Sequence, residues 1–284
     1  MKPAAFEYMR PTTLADAAAL LGEPQVFSKA LAGGQSLGPM LNLRLAQPDL
    51  LVDITSIPEL TAVADGPDHV ELGACITHAD IEDGRVPDPA GGLLRHVAGR
   101  IAYRAVRNRG TIGGSLAHAD PAADWISALA LVDARAIVWT PRGSRPVAVA
   151  DLIVSSFTTV LRPDELIQTI RVPKVSAAAR WGFYKFSQKA GEFAHVIGGI
   201  LYDPARNVFR AVIGAIETAP IVVPDAAALF AGGFGPDLVQ RLNEGEVLRL
   251  LDGKNVKDAY IRRLAVVALK RAAIQAGAKC TRFK

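Results

Sequence analysis

Two glycine-rich turns, Ala32-Gly33-Gly34-Gln35-Ser36-Leu37 and Thr111-Ile112-Gly113-Gly114-Ser115, share nearly one design and stand eighty residues apart. Glycine lets a backbone turn tightly and come close to a ligand, so that successive N–H groups, helped by a hydroxyl, can point at phosphate oxygens. One such turn is most often only a turn. Two of them, each with Ser or Thr beside it, predict the halves of a pyrophosphate clamp and hence a dinucleotide ligand. Neither has the Gly-x-Gly-x-x-Gly order of a Rossmann unit or the Gly-Lys-Ser/Thr ending of a phosphate loop, which disfavours a kinase or NTPase.

The sequence around each turn suggests a separate unit. Thr13-Leu14-Ala15-Asp16 resembles a capping box with Asp in place of Glu, opening a short helix to Leu21 that Gly22 and Pro24 end. A strand over Lys29–Ala32 feeds the first turn, a helix over Pro39–Leu45 follows it, and Leu50–Ile54 reads as a buried strand, together a small β-α-β unit in residues 1–55. A second unit, 56–173, holds strand patterns near Val70–Ala74, Arg135–Trp139 and Glu165–Val172, helix patterns near Leu93–Tyr103 and Asp124–Val132, and the second turn. After a linker at Pro173–Ala177, alternation at Trp181–Ser187, Ala194–Leu201 and Val208–Ile216 predicts a three-stranded antiparallel sheet in a third unit, 174–284. From Val223 to Ala278 the pattern is largely helical, with one long stretch over Val256–Gln275.

Composition narrows the function classes. With 284 residues, half of them hydrophobic, the chain can build a real core. Its 32 Lys and Arg against 28 Asp and Glu leave a formal charge of only +4 and no lysine-rich tail, so nucleic acid is not an expected partner. Cys75 and Cys280 cannot supply a four-thiolate iron–sulfur site or a disulfide framework. Met1–Arg10 has no apolar signal core and no apolar run nears the length of a membrane span, so a soluble cytoplasmic protein is expected.

Other residue groups have a bland reading as well as a functional one. The polar stretch from Val106 to Asp124 reads as a loop before a helix, and such loops often carry function. His118, Asp120 and Asp124 lack a second histidine at a supporting spacing, and Asp124 reads as a helix N-terminal residue, so no metal site is assigned. Arg100, Arg104, Arg107 and Arg109 form a solvated face or else meet a diphosphate or an acidic partner. Phe183–Ala194 reads as a strand and turn with exposed lysines, and Leu161-Arg162-Pro163-Asp164-Glu165-Leu166-Ile167 as a turn entering a strand with Ile167 in the core. His69, His78, His96 and His195 are isolated, no nucleophile elbow is present, and no catalytic residue is assigned.

Taken in order, these stretches resemble the FAD-binding medium subunit of molybdenum hydroxylases, the group that includes bacterial carbon monoxide dehydrogenase and xanthine dehydrogenase. The resemblance spans essentially the whole chain and rests on both glycine turns, Asp124, Leu161–Ile167, Tyr184-Lys185-Phe186-Ser187 and the opening Phe6-Glu7-Tyr8 to Pro11. It implies an α+β chain with the fold of the p-cresol methylhydroxylase flavoproteins: two FAD-gripping subdomains, then a C-terminal domain with a three-stranded antiparallel sheet and helices. By residue-wise transfer, the backbone of Ala32, Gly33, Gly34, Gln35 and Ser36 and of Thr111, Ile112, Gly113, Gly114 and Ser115 would hold the pyrophosphate. Leu37 and Ile101 would pack near the cofactor, Asp124 would accept from ribityl or ribose hydroxyls, Ile167 would pack near adenine or flavin, and Lys185 would lie at the flavin end. Related flavin oxidases often carry a flavin-linked histidine where Gln35 stands; glutamine implies non-covalent FAD. Relatives often show Asn at the position of Ser115. An acyl-CoA-reducing subgroup adds a cysteine-bearing insertion, and two lone cysteines place this chain outside it.

The implied role is an electron-transfer subunit. Electrons from substrate oxidation at a molybdenum cofactor on a large partner would pass through [2Fe-2S] clusters on a small partner to FAD here, then to an external acceptor, in an αβγ complex or its dimer. Two other readings stay open: a self-contained FAD-dependent oxidase or reductase, and a cofactor-free binding module of the same fold.

Overall fold

In a computed structural model that describes residues 2–231 and 233–278, the chain builds three principal sheets in sequence order. The first comprises β1 (Glu7–Met9), β2 (Ser28–Leu31) and β3 (Leu50–Asp53), all parallel with β3 in the middle. Helix α1 (Leu14–Leu21) starts where predicted, its Thr13 hydroxyl accepting the Asp16 N–H at 3.1 Å, and α2 (Leu37–Asn42) follows the first glycine turn. All four residues of β3 are buried because both faces are covered. Leu50 and Val52 join Leu14 and Ala17 in the main core, while Leu51 meets Leu41 and Met40 beneath α2.

The second sheet has the order β4-β5-β10-β6-β7, antiparallel throughout. Its strands are β4 (Val63–Asp65), β5 (His69–Gly73), β6 (Arg135–Thr140), β7 (Gly143–Ala148) and the central β10 (Leu166–Pro173). Between β5 and β6 run the short helices α3 (His78–Glu82), α4 (Leu93–Ala98), α5 (Arg104–Arg107) and α6 (Ile112–His118), then α7 (Asp124–Leu131). Helix α8 (Val149–Leu152) and the hairpin β8 (Ile153–Ser155) with β9 (Thr158–Thr159) lead into β10. The helix expected over Leu93–Tyr103 stops at Ala98, where Gly99 caps it. The segment from Val106 to Asp124, expected as a loop, instead contains the end of α5 and all of α6. Its polarity conceals a helix whose buried face is Ile112 and Leu116, one turn apart.

The third sheet corrects the expected three strands to four among the described residues. To β11 (Arg180–Phe186), β12 (Val196–Asp203) and β13 (Val208–Gly214) it adds β14 (Ile221–Val223), a short edge strand past a bend. Period-two alternation sorts β12 between two cores: Ile197 and Leu201 face the main core, Val196 and Ile200 a second one. The main core reaches this sheet through α7, every residue of which is buried. Helices α9 (Glu244–Gly253) and α10 (Ala259–Gly277) close the other face. There α10 lies so close that a side chain on Gly198 would come within 2.5 Å of the Ala268 backbone. Residues 224–231 and 233–243, expected to be largely helical, form turns, isolated bridges and a 3-10 turn at Ala226–Ala228. Cys280 falls outside the described residues; Cys75 is buried, and burial pushes its thiol up to about 12, leaving it an inert core group.

Candidate functional site

The two glycine turns meet. A side chain on Gly33 would fall 2.0 Å from the Arg109 carbonyl oxygen and 2.7 Å from the Gly110 Cα, and one on Gly114 would sit 3.6 Å from the Ala32 Cβ. Gly33 therefore has to be glycine because the other turn's backbone occupies the space of its missing side chain. Gly34 has a different requirement, a φ of +71° in the left-handed region that glycine enters at no steric cost. From Gly33 to Ser36, no protein acceptor takes the backbone N–H groups among the described residues. The turn thus presents four consecutive amide donors ahead of α2.

The second turn uses its donors differently. Thr111 is the N-cap of α6, its hydroxyl accepting from the Gly114 N–H at 3.1 Å. The N–H groups of Ile112, Gly113 and Ser115 donate to the carbonyls of Ile76, Ala74 and Thr111 at 2.9 to 3.0 Å. Four of the amides expected to reach a ligand are satisfied inside the protein. Gly113 is glycine because the Ala74 backbone lies against it: an added Cβ would fall 2.7 Å from the Ala74 carbonyl oxygen. Despite the shared sequence design, the first turn is the free donor array and the second the wall that shapes it.

His78, isolated in sequence, holds that wall from behind. Its backbone N–H donates to the Gly110 carbonyl at 2.9 Å, and its ring packs where a Gly110 side chain would be. The Trp125 indole donates to His78 Nδ1 at 3.0 Å, so the proton of the neutral ring sits on Nε2. Burial, reinforced by the nearby Arg107 charge, depresses its pKa to about 4.

Asp124 opens α7, and Lys185 projects from β11 to meet it. Lys185 is therefore not the exposed lysine of the bland strand-and-turn reading. Burial raises the Asp124 carboxyl above the ordinary aspartate range, with the Lys185 ammonium pulling the other way. The lysine also reaches the Arg100 carbonyl at 3.4 Å, on the residue preceding Ile101. Asp124 Oδ1 is buried with no hydrogen-bond partner among the described residues, a vacant acceptor.

The remaining candidates divide. Leu37 and Ile101 are half-buried, each against a core, while Ile167 lies in the main core at the bulge where β10 pairs with β6. Gln35 is exposed, and its side-chain amide folds back to the Gly33 carbonyl at 3.1 Å. Arg104 and Arg107 are spent on the carboxylates of Glu82 and Asp83. Asp120 turns aside to a recess of about 670 Å³ shared with Phe157, His195 and Lys254, which neither glycine turn lines. An array of amide donors beside a vacant buried acceptor suits a ligand that is anionic at one point and hydroxylated at another.

Comparison with known proteins shows the family and the fold. Residues 4–175 match the family model described as the FAD-binding domain in molybdopterin dehydrogenase. The nicotine 6-hydroxylase medium subunit of Paenarthrobacter nicotinovorans is 33% identical over 292 residues, covering 98% of this chain and 100% of that one. A carbon monoxide dehydrogenase structure from Hydrogenophaga pseudoflava, lacking the Mo-pyranopterin moiety of its cofactor, superimposes with a TM-score of 0.86 at 30% identity, covering 99% of this chain and 100% of the other. Quinoline 2-oxidoreductase from Pseudomonas putida 86 gives a TM-score of 0.80 at 26% identity, with 98% of each chain covered.

Proposed function

Because the chain belongs to the family of FAD-binding domains of molybdopterin dehydrogenases, we propose that it is the electron-transferring flavoprotein subunit of a molybdenum hydroxylase. The observation that carries this reading is the meeting of the two turns, which leaves four adjacent amide donors open at Gly33–Ser36. Those amides bind the pyrophosphate of FAD. Ala32 and the turn from Thr111 through Ile112, Gly113 and Gly114 to Ser115 wall the site. Asp124 Oδ1 takes a ribityl or ribose hydroxyl, Leu37, Ile101 and Ile167 pack near the cofactor, and Lys185 sits at the flavin end. Gln35 has no nucleophile for a flavin bond, so the FAD is non-covalent.

The flavin supplies the redox chemistry, exchanging electrons singly or in pairs; the protein supplies position, electrostatics and control of solvent. With no metal-cluster thiolates of its own, the chain requires a small subunit with [2Fe-2S] clusters and a large subunit with the molybdenum cofactor, as αβγ or its dimer, in the cytoplasm. Among the described residues no helix is long and apolar enough to cross a membrane. The chain is organised as two FAD-binding subdomains, 1–55 and 56–173, and a C-terminal domain, 174–284.

The test is the visible spectrum of the purified full chain before and after adding FAD, followed by acid precipitation. A flavin spectrum with all FAD released into the supernatant is expected. Failure to take up FAD, alone or with its partner subunits, would favour a cofactor-free module. Turnover of an organic substrate by the isolated chain would favour a self-contained oxidase.

A further inference from the structure

The loop from Arg100 to Ala102 is held by a residue that the reading above leaves unused. Arg107 is only 12% exposed, and its guanidinium spans two elements. Its Nε and one terminal nitrogen grip the Glu82 carboxylate at 2.7 and 3.0 Å, while the other terminal nitrogen donates to the carbonyls of Ile101 and Ala102, each at 3.0 Å. Those two carbonyls belong to a backbone that needs restraint, since Ala102 has a φ of +42° in the left-handed region. Gly191 closes the other side, where a side chain would come within 3.1 Å of the Ala102 carbonyl oxygen. The same loop supplies the Arg100 carbonyl that Lys185 reaches. Helix α3 ties this together: its first residue, His78, buttresses the second glycine turn, and its last, Glu82, anchors Arg107.

We infer that Arg107, anchored by Glu82, is the positioning residue that fixes the Arg100–Ala102 loop, and through it Ile101 and Lys185, against the flavin. The inference rests on the FAD-binding role proposed above. A guanidinium is required because one planar group must serve a carboxylate bidentately and two carbonyls at once; a lysine ammonium keeps the charge but cannot span both. Arg104 provides an internal control. It pairs with the same Glu82 and with Asp83 but donates to neither loop carbonyl.

The experiment compares the full-length wild type, R107K and R104M by FAD titration and, at saturating FAD, by the visible absorption maximum and midpoint potential of the bound flavin. R107K is expected to bind FAD roughly tenfold more weakly, as loss of charge-assisted hydrogen bonds does, and to displace the absorption maximum and the potential. R104M should match the wild type in all three. An R107K spectrum, potential and affinity equal to wild type would overturn the inference while leaving FAD binding intact. Equal losses in R104M and R107K would also overturn it, since the charge network rather than the carbonyl contacts would then be responsible. A wild type that takes up no FAD overturns the proposed function and this inference with it.

Discussion

Lys185 Nζ lies 2.8 Å from Asp124 Oδ2, and only 7% and 6% of the two side chains reach solvent. The pair joins β11 of the third sheet to α7 of the main core, sixty-one residues apart. Burying two charges is offset by their attraction only while both are present; removing one leaves the other desolvated and alone. Lys185→Met is expected to destabilise the chain by about 3–5 kcal/mol, and Lys185→Met with Asp124→Asn by much less. Denaturant unfolding of the two single variants and the double variant reads the difference. Additive losses would show that the two groups do not act as a pair.

Asp124 has a second expected effect, on ligand rather than fold. Its Oδ1 is a buried acceptor without a protein donor. Asp124→Asn keeps the shape and one carbonyl acceptor but removes the negative charge, and should weaken FAD binding by about tenfold, the cost of losing one charged hydrogen bond. Isothermal titration with FAD checks this; unchanged affinity would remove Asp124 from the site.

At Gly34, backbone and ligand arguments coincide. An L-residue in its left-handed conformation costs about 1–2 kcal/mol, so Gly34→Ala should lower the melting temperature by a few degrees and retain some FAD. Gly34→Glu adds a carboxylate to the amide array and should abolish retention by repelling phosphate. Gly114→Glu should do so indirectly, because its Cβ would fall 2.7 Å from the Thr111 hydroxyl that caps α6. Stoichiometric FAD in both glutamate variants would show that the pyrophosphate lies elsewhere.

What the sequence disclosed about this site follows from the range of the forces involved. Thr13 and Asp16 cap α1 three residues apart, and alternation over Trp181–Ser187 and Ala194–Leu201 belongs to single strands, so both were legible. The glycine turns were legible as turns, but their division of labour was not. It depends on Ile76 and Ala74, thirty-odd residues upstream, accepting the second turn's amides. His78 and Arg107 were missed for the same reason: Trp125 lies forty-seven residues from the one and Glu82 twenty-five from the other. The arginine cluster stayed open between a solvated face and an anionic partner because Glu82 and Asp83, which engage Arg104 and Arg107, lie on a different segment more than twenty residues upstream. Helix α6 was hidden by its two glycines, which suppress helix propensity although Ile112 and Leu116 mark a buried face.

His78 makes a pH prediction with a definite sign. Unfolded, its imidazole protonates near 6.5; folded, not until about 4. Between those values the unfolded chain binds the extra proton, so stability falls as pH falls through that window, by up to roughly 3 kcal/mol from this group. Asp88 and Asp124, whose carboxyls burial raises, act in the opposite direction. The informative quantity is therefore the wild type minus His78→Gln, whose amide oxygen can still accept from Trp125. Urea unfolding at pH 7, 6 and 5 should show a shallower loss in the variant. Parallel slopes would mean that His78 takes up its proton at the same pH in the folded and unfolded chains.

Glu165 and Arg145 should respond unequally to loss of their partner. The Glu165 carboxylate is 2% exposed and accepts both the Arg145 guanidinium, at 2.7 Å, and the Arg162 N–H, at 3.0 Å; the Arg145 side chain is 40% exposed. Removing the carboxylate charge lets the arginine turn to water, whereas removing the arginine strands a desolvated charge at the entry to β10. Arg145→Met is therefore expected to cost more than Glu165→Gln, by roughly 1–2 kcal/mol. The hydrogen bond from Arg145 holds the Glu165 carboxyl below its ordinary range. Stability from it is present at neutral pH and lost as pH falls through that lowered pKa, so the difference in stability between wild type and Arg145→Met should narrow as pH falls through that range. Equal costs at pH 7 in the two variants would show that Glu165 is solvated well enough in the folded chain to do without its partner.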